Sequence, residues 1–242
     1  MPVRSTIHKV VVIGSGYAGR LAANRLRKRD DVGITLVNPR PRFIERMRLH
    51  QFVAGSGGAT ADYGSLLGEG IDLVVDSATR IDTAARTVRL ASGRDLDYDY
   101  VIYAVGSTTA IPPSVPGGDA AAPSGQPVRM SSQAAAPLGA QAADTVLSRI
   151  AGTEPAVIDF AFTGSCVSLG RHNGVRQFAR KDDTALNMYL GGRAVAACKE
   201  LTCKLGRFKI RLEARRPGSM PWPKGGTRPE QPVCSARAVA SS

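Results

Sequence analysis

The sequence predicts an α/β protein: a parallel sheet with helices and a small antiparallel β-meander, followed by a β-hairpin and a further helix. Three observations predict this fold. Residues 9–37 alternate short apolar runs with helical spacing, residues 78–98 alternate with the period of half-buried strands, and residues 158–205 combine a tight-turn signal with a helical pattern. At 242 residues the chain is long enough for one sizeable core or two small ones.

The first element is a βαβ unit. Lys9 to Ile13 is a short apolar run, and helical spacing follows from Ala18 to Arg29. A second buried-type strand, Ile34 to Val37, stops at Asn38-Pro39. Strand, Gly-rich turn, helix and strand together have the length usual for such a unit. Residues 71–75 then predict a third strand of the same buried type.

The β-meander comes next. Residues 78–82, 87–90 and 95–98 alternate between apolar and polar side chains, and Ser92-Gly93 is a tight-turn signal. The run from Tyr100 to Val105 is apolar throughout, which is typical of a parallel strand buried on both faces, and it stops at Gly106.

The composition changes after Gly106. Residues 107–118 are rich in Ser, Thr and Pro and predict an irregular connection, and residues 131–150 predict an Ala-rich helix. Residues 158–179 predict a hairpin that turns at His172-Asn173-Gly174, because Asn-Gly favours tight turns. Residues 184–205 predict a helix, and residues 217–242 a flexible tail.

The chain is strongly basic, with a net charge of +12 and most of the late excess between residues 171 and 216. Aromatic residues make up 5% and offer few stacking platforms, so we expect no nucleic acid partner. The four cysteines form no CxxC pair, so we expect no metal site. With neither a signal peptide nor a membrane span in the pattern, the expected location is the cytoplasm. The basic amphipathic stretch 194–212 leaves peripheral membrane contact open.

The pattern Gly14-x-Gly16-x-x-Gly19 follows the first strand and opens the first helix. In this context it predicts a Rossmann-like dinucleotide site. Gly14 permits the sharp turn, Gly16 lets a pyrophosphate approach the backbone, and Gly19 allows the helix to pack closely on the strand. Free amides at the start of the helix then favour the anion.

The second strand ends at Asn38, where such sites usually place a carboxylate that binds the adenosine ribose. An amide can still hydrogen-bond a ribose, although more weakly than a charged acceptor. Arg40 or Arg42 can stack on or pair with the adenylate, and a 2′-phosphate is a conceivable partner too. This motif alone therefore does not separate FAD from NADP.

Further segments carry a family resemblance. The stretch from Ile81 through Gly106 resembles the strand-and-loop signature of the FAD/NAD(P)-linked flavoprotein oxidoreductases. Gly118-Asp119, followed by residues 131–135, is similar to the Gly-Asp motif of the same family, and residues 166–171 resemble the carboxy-terminal part of its type II NADH dehydrogenase-like branch. The resemblance implies FAD as cofactor, with Asp119 bound to the ribityl chain and the amino end of the next helix at the flavin.

The resemblance places the following cofactor contacts in this sequence: Gly14, Gly16, Tyr17, Ala18, Gly19, Asn38, Arg40, Arg48, Ala78, Thr79, Ala104, Val105, Gly106, Gly118, Asp119, Gln133 and Ala134. Disulfide reductases carry a Cys-x4-Cys pair after the second strand, whereas residues 46–51 contain no cysteine. His50 in this segment is a candidate for a catalytic group near the flavin or for a surface residue of a helix.

The sequence differs from the family in one large respect. The family inserts a nicotinamide-binding module between the segments that match around Gly106 and Gly118, and here only residues 107–117 separate them. No second GxGxxG occurs in the chain. We therefore expect an FAD-binding domain over residues 1–157, assembled from 1–117 and 118–157, then a hairpin-helix segment over 158–216 and the tail.

Three functions stay open at this point. The leading one is an FAD-binding oxidoreductase that resembles NADH dehydrogenase-like flavoproteins, with NAD(P)H and a quinone or other small acceptor as redox partners. The second is a flavin carrier or remnant without turnover. The third is a basic protein that binds a membrane surface or another polyanion.

Overall fold

The computed structural model describes residues 7–106, 131–170 and 172–226. The elements of the first range are β1 (His8–Ile13), α1 (Tyr17–Leu26), β2 (Val32–Asn38), β3 (Phe43–Ile44), α2 (Leu49–Val53), β4 (Thr60–Ala61), β5 (Ile71–Val75), β6 (Ala78–Asp82), β7 (Thr87–Leu90), β8 (Asp95–Asp97) and β9 (Tyr100–Tyr103). The later elements are α3 (Ser132–Ile150), β10 (Ser165–Ser168), β11 (Gly174–Ala179), β12 (Ala185–Gly191) and α4 (Arg193–Arg215).

A four-stranded sheet in the order β5-β2-β1-β9 forms the centre, and its strand pairs are parallel. In the register, Val12 pairs with Leu36 on one side and with Ile102 on the other. The central strand β1 is buried on both faces from Val10 to Ile13, as expected for a parallel sheet covered on each side. The prediction of an α/β fold with a parallel sheet is confirmed.

The two faces of this sheet have different partners. Val10 and Val12 point to a core that includes Ala22 of α1 and Ala143 of α3. Val11 and Ile13 point to the opposite core, which the antiparallel β6-β7-β8 meander closes with residues such as Val88. Strand β1 therefore contributes side chains to the cores on both sides of the sheet, because successive side chains of a strand point to opposite faces.

Helices α1 and α3 approach each other closely. A Cβ atom on Gly139 of α3 would lie 2.2 Å from the carbonyl oxygen of Ala18, so only glycine fits at this crossing. The small alanine side chains of α3 keep the two helices close over the rest of their contact. At its start, Ser131 caps the helix by accepting a hydrogen bond from the amide of Ala134.

A three-stranded antiparallel sheet in the order β10-β11-β12 follows α3. Its first two strands confirm the predicted hairpin. The predicted helix over 184–205 is wrong in its first part, because Ala185–Gly191 is strand β12 and α4 begins only at Arg193. A turn with Asp183 at φ +75° reverses the chain and lets β12 pair with β11, and Gly192 at φ +96° then separates strand from helix.

The predicted flexible tail is wrong for residues 217–226, which pack against the rest of the protein. Met220 is buried in a cluster with Leu21 and Ala140. Trp222 donates from its indole nitrogen to the carbonyl oxygen of Asp159. Residues 227–242 lie outside the described ranges. Within those ranges, no helix is both long enough and apolar enough to cross a membrane.

Candidate functional site

The Gly-rich turn between β1 and α1 has three glycines with different surroundings. Gly14 has φ +95°, and a Cβ atom there would lie 2.4 Å from the carbonyl oxygen of Ala104. A Cβ atom on Gly19 would lie 1.8 Å from the carbonyl oxygen of Gly14, so this glycine permits the helix to sit against the turn. Gly16 has extended backbone, and a Cβ there would meet nothing within 4 Å. Two glycines therefore serve packing, and Gly16 faces open space.

That open space is a cavity of about 570 Å³ at the carboxyl ends of β1, β2 and β9. Nine of the predicted contact residues line it: Gly14, Gly16, Tyr17, Ala18, Asn38, Arg40, Ala104, Val105 and Gly106. Parallel sheets of this type bind ligands at this edge, because the loops that follow the strands meet there. The tertiary structure thus brings three separate sequence segments to one site.

The lining of the cavity is basic. Arg40, Arg42 and Arg46 line it, and its described lining contains no Asp or Glu. Helix α1 begins at its wall with Gly16 as N-cap, without a side-chain cap and without an acidic residue in the first turn. The first amides of α1 and the positive end of its dipole are therefore available to a bound phosphate.

Asn38 takes part in a polar network at the rim of the cavity. Its amide nitrogen donates to the carbonyl oxygen of Arg40 at 2.7 Å and to the hydroxyl of Tyr63 at 3.0 Å. Its amide oxygen accepts from the backbone nitrogen of Ser15 at 3.3 Å, and the Ser15 and Tyr63 hydroxyls hydrogen-bond to each other. Asn38 therefore holds the loop after β2 onto the Gly-rich turn, in addition to any contact with a ligand.

Tyr63 was missed by reasoning from the sequence. It lies on a short 3₁₀ turn, Tyr63–Ser65, and it reaches the cavity only because β4 pairs with β3 and brings this turn back to the sheet. Phe43 and Met47 line the cavity in the same unpredicted way. No motif marks these positions, since their role depends on the path of the loop after β2.

The amino end of α3 reaches the same cavity from the other side. Ser131, Ser132 and Ala135 contribute to its lining, and the Ser132 hydroxyl donates to the sulfur of Met47 at 2.9 Å. A second helix thus directs its positive end into the site.

A second cavity of about 450 Å³ adjoins the first, and Tyr17, Met47, Ser131 and Ser132 line both. Its far wall comes from the hairpin, α4 and the segment near Trp222, and it includes the basic residues Arg176, Lys199 and Lys209. Lys199 donates to the carbonyl oxygen of Cys166 at 3.0 Å and so connects α4 to β10. The two cavities thus share part of their walls.

Arg20 supports the floor of the site. Its guanidinium is fully buried 3.2 Å from the centroid of the Phe43 ring, and its Nε donates to the carbonyl oxygen of Gly16 at 3.3 Å. Burial lowers the pKa of Arg20 to about 10. Burial, together with the nearby Glu45 carboxylate, raises the pKa of Tyr17 to about 12, so this lining phenol is neutral at physiological pH.

Several predicted contacts lie elsewhere. Arg48 forms ion pairs with Glu45 at 3.1 Å and with Glu200 at 3.0 Å, which hold its guanidinium away from the cavity. His50 is exposed on α2 and does not line the cavity. Ala78 and Thr79 lie in β6, where the Thr79 hydroxyl donates to the carbonyl oxygen of Arg89.

The remaining predicted residues divide by position. Gly19 lies behind the turn, and Gln133 lines the second cavity, where it hydrogen-bonds to Thr163. Ala134 is buried beside Phe160 and Phe162. Gly118 and Asp119 lie outside the described residues.

One Cys-x4-Cys spacing does occur, at Cys198 and Cys203 of α4, and both thiols are free. An offset of five residues places them about 140° apart around a helix axis, so they cannot form a bond to each other within α4. Among the described residues, no three or more His, Cys, Asp and Glu side chains are grouped so that they could hold a metal ion.

Known proteins resemble part of this chain. An NADH dehydrogenase-like protein of Mycobacterium tuberculosis is 31% identical over 118 residues, which are 45% of this chain and 29% of that protein. A type II NADH:quinone oxidoreductase of Staphylococcus epidermidis is 33% identical over 109 residues, 40% of this chain and 26% of the relative. The matched part spans less than a third of either relative.

Among solved structures, the sulfide:quinone oxidoreductase of Aquifex aeolicus aligns with a TM-score of 0.40 and 25% identity, over 60% of this chain and 32% of that one. The sequence pattern that defines the pyridine nucleotide-disulphide oxidoreductases matches residues 8–146, more than half of the chain. The protein therefore belongs to the pyridine nucleotide-disulphide oxidoreductase family.

Proposed function

We propose that this chain binds FAD along its two joined cavities and acts as a flavin-dependent oxidoreductase. One observation carries the proposal: Gly16 opens onto a cavity with three arginines and no described acidic lining residue, at the uncapped start of α1. Such a site suits the pyrophosphate of a dinucleotide, because amides, helix dipole and guanidinium groups all favour negative charge there. Membership of the family supports a flavin as the ligand.

Two parts of FAD are assigned to different cavities in this proposal. The amides that follow Gly16 would hold the pyrophosphate, with Arg40 and Arg42 available to the adenylate in the first cavity. Residues of the second cavity would hold the flavin ring, since Met47 and Ser132 line both cavities. FAD supplies the redox chemistry, since the flavin accepts two electrons as a hydride and passes them on. The amino end of α3 would favour negative charge on a ring bound there.

Related proteins suggest the redox partners. NADH and a quinone appear in the name of the S. epidermidis relative, and we propose NAD(P)H as electron donor and a quinone or another small molecule as acceptor. The chain has a single GxGxxG, which FAD occupies in this proposal. We therefore expect the donor to meet the flavin by collision. A cytoplasmic location is part of the same proposal.

An absorbance spectrum of the purified protein tests the cofactor, because bound oxidised flavin is yellow. Apoprotein titrated with FAD should bind it, and FMN, which lacks the adenylate and the second phosphate, should bind much more weakly. Equal affinity for FAD and FMN would contradict the assigned pyrophosphate site. Steady-state turnover with NADH and a quinone then separates an enzyme from a flavin carrier without turnover.

A second candidate function is attachment to an anionic membrane surface, and the outer face of α4 supports it. Leu201 and Phe208 are 56% and 59% exposed there, and they alternate along the helix with the exposed basic residues Lys204 and Arg211. Ile210, on the opposite face of α4, packs with Phe43 and Tyr63. That opposite face is therefore part of the folded core. Flotation with phosphatidylserine vesicles at low salt should carry the protein and should fail for Phe208→Glu. Absence of flotation for the unchanged protein would exclude this function.

A further inference from the structure

Arg20 is a buried cation in an unfavourable place. It lies in the first turn of α1 and is fully buried, and its Nη1 and Nη2 atoms have no hydrogen-bond partner among the described residues. Burial lowers its pKa to about 10, so it still carries its charge at physiological pH. An unpaired charge in a protein interior is strongly unfavourable. The position adds to this cost, because the amino end of a helix is itself positive.

The carboxylate of Glu45 does not balance this charge. It is near enough to attract Arg20 electrostatically, but it pairs with Arg48 at 3.1 Å and also with Arg207. One carboxylate thus already serves two other cations. The positive charge of Arg20 is therefore left over within the part of the chain that the structure describes.

Arg20 lies directly behind the wall of the first cavity. Its Nε donates to the carbonyl oxygen of Gly16 at 3.3 Å, and its guanidinium carbon lies 3.2 Å and 5.8 Å from the ring centroids of Phe43 and Tyr17. These three residues all line the cavity, whereas Arg20 itself does not. Aromatic faces attract a cation but carry no net charge. The unbalanced charge therefore acts on whatever occupies the cavity.

We propose that Arg20 is a positioning residue for an anionic ligand, whose phosphate supplies the counter-ion that Arg20 lacks. The inference rests on the proposed function, since it takes the pyrophosphate to lie at the amides after Gly16. Arg20 acts without touching the ligand: its Nε fixes the Gly16 carbonyl, and its charge makes the potential at the start of α1 more positive. Arg20 therefore destabilises the empty protein and stabilises the loaded one.

The test measures apoprotein stability and anion affinity in one variant, because the two should change in opposite directions. Arg20→Met replaces the charge with a flexible apolar chain. The carbonyl of Gly16 keeps its hydrogen bond from the backbone nitrogen of Arg20 at 3.3 Å. The urea midpoint of the apoprotein should therefore rise. In calorimetric titration with ADP, which carries the two phosphates without the flavin, affinity should fall by about tenfold or more.

Arg25→Met is the matched control, because Arg25 is a buried arginine of the same helix that has counter-ions. It lies 2.8 Å from Asp144 and 3.3 Å from Glu213. Its removal leaves the buried carboxylate of Glu213 without a cation, so the urea midpoint should fall. The ADP affinity of the folded Arg25→Met protein should equal that of the unchanged protein.

A midpoint for Arg20→Met at or below that of the unchanged protein would overturn the proposal, because a purely structural arginine loses stability and affinity together. Unchanged ADP affinity in Arg20→Met, or absence of ADP binding by the unchanged protein, would overturn it as well. Titration with FAD reports separately on the proposed function. A protein that binds ADP but not FAD would retain this role of Arg20 and lose the flavin assignment. Equal FAD affinity with and without Arg20 would retain the flavin assignment and remove this role.

Discussion

The guanidinium of Arg25 in α1 lies 3.3 Å from the carboxylate of Glu213 near the end of α4, although 188 positions separate them in the sequence. The same guanidinium lies 2.8 Å from Asp144 of α3. Glu213 is fully buried, and it also accepts hydrogen bonds from the amides of Gly218 and Met220, both at 2.7 Å. Two ion pairs of Arg25 and the two hydrogen bonds to Glu213 thus join α1, α3, α4 and the segment after α4.

Replacing Glu213 with leucine should lower the free energy of unfolding by about 3 kcal/mol, the amount typical of breaking a buried pair from one side. Arg25 would keep only Asp144, and the amides of Gly218 and Met220 would lose their acceptor. Urea denaturation followed by circular dichroism measures the change. Asp62→Leu, which removes the exposed partner of Arg42, is the control and should have little effect. If both variants lowered the free energy of unfolding equally, the buried ion pair would contribute no more stability than the exposed one.

The glycines of the first turn should separate folding from binding. Gly16→Val places its side chain in open space on extended backbone, so the variant should fold normally and lose FAD, because the side chain occupies the position of the pyrophosphate. Gly19→Val should lose stability even without cofactor, since its Cβ would contact the carbonyl oxygen of Gly14. Thermal denaturation of the apoproteins and FAD titration make the comparison. A Gly16→Val protein with unchanged FAD affinity would contradict the phosphate placement.

Asn38→Asp should lower the stability of the folded protein, although the motif alone favours a carboxylate at this position. The aspartate would lack the two N–H groups that now bond the Arg40 carbonyl and the Tyr63 hydroxyl. Placing a carboxylate against that carbonyl should reduce the stability of the apoprotein by about 1–3 kcal/mol, the range for an unsatisfied polar group. Chemical denaturation measures it, with Asn38→Ser as a smaller neutral comparison. An aspartate variant as stable as the parent would show that the network is dispensable.

Reduction by NADH should follow a rate that rises linearly with NADH concentration. A nicotinamide site of the family type needs its own Gly-rich turn at a helix start, and the chain has one such turn. Reduction then depends on collision with the flavin, without the orientation that a bound nicotinamide supplies. Stopped-flow absorbance of the FAD-loaded protein provides the measurement. Saturation at micromolar NADH would reveal a donor site and make the protein a competent dehydrogenase.

The sequence by itself determined the parallel sheet, the meander and the Gly-rich turn. Their signals are local: apolar runs such as Val10 to Ile13, alternation from residue 78 onwards, and glycines at fixed spacing. The periodicities of strands and helices extend over only a few residues, so these elements can be predicted from the sequence alone. The predicted residues from Gly14 to Gly106 that meet at the first cavity follow from this pattern, because parallel strands end at one edge.

Only the tertiary structure decided the remainder. Residues 185–191 form a strand because they pair with the edge of β11. The prediction of a helix for these residues considered only their own sequence and not this pairing partner. Arg48 turns away from the cavity because Glu45 and Glu200 neutralise it, and Tyr63 enters because a distant loop returns to the sheet. Gly218 and Met220 are held by Glu213, whose ion-pair partner Arg25 lies 188 positions earlier in the sequence. Contacts between distant segments depend on the whole fold, and local residue patterns do not encode them.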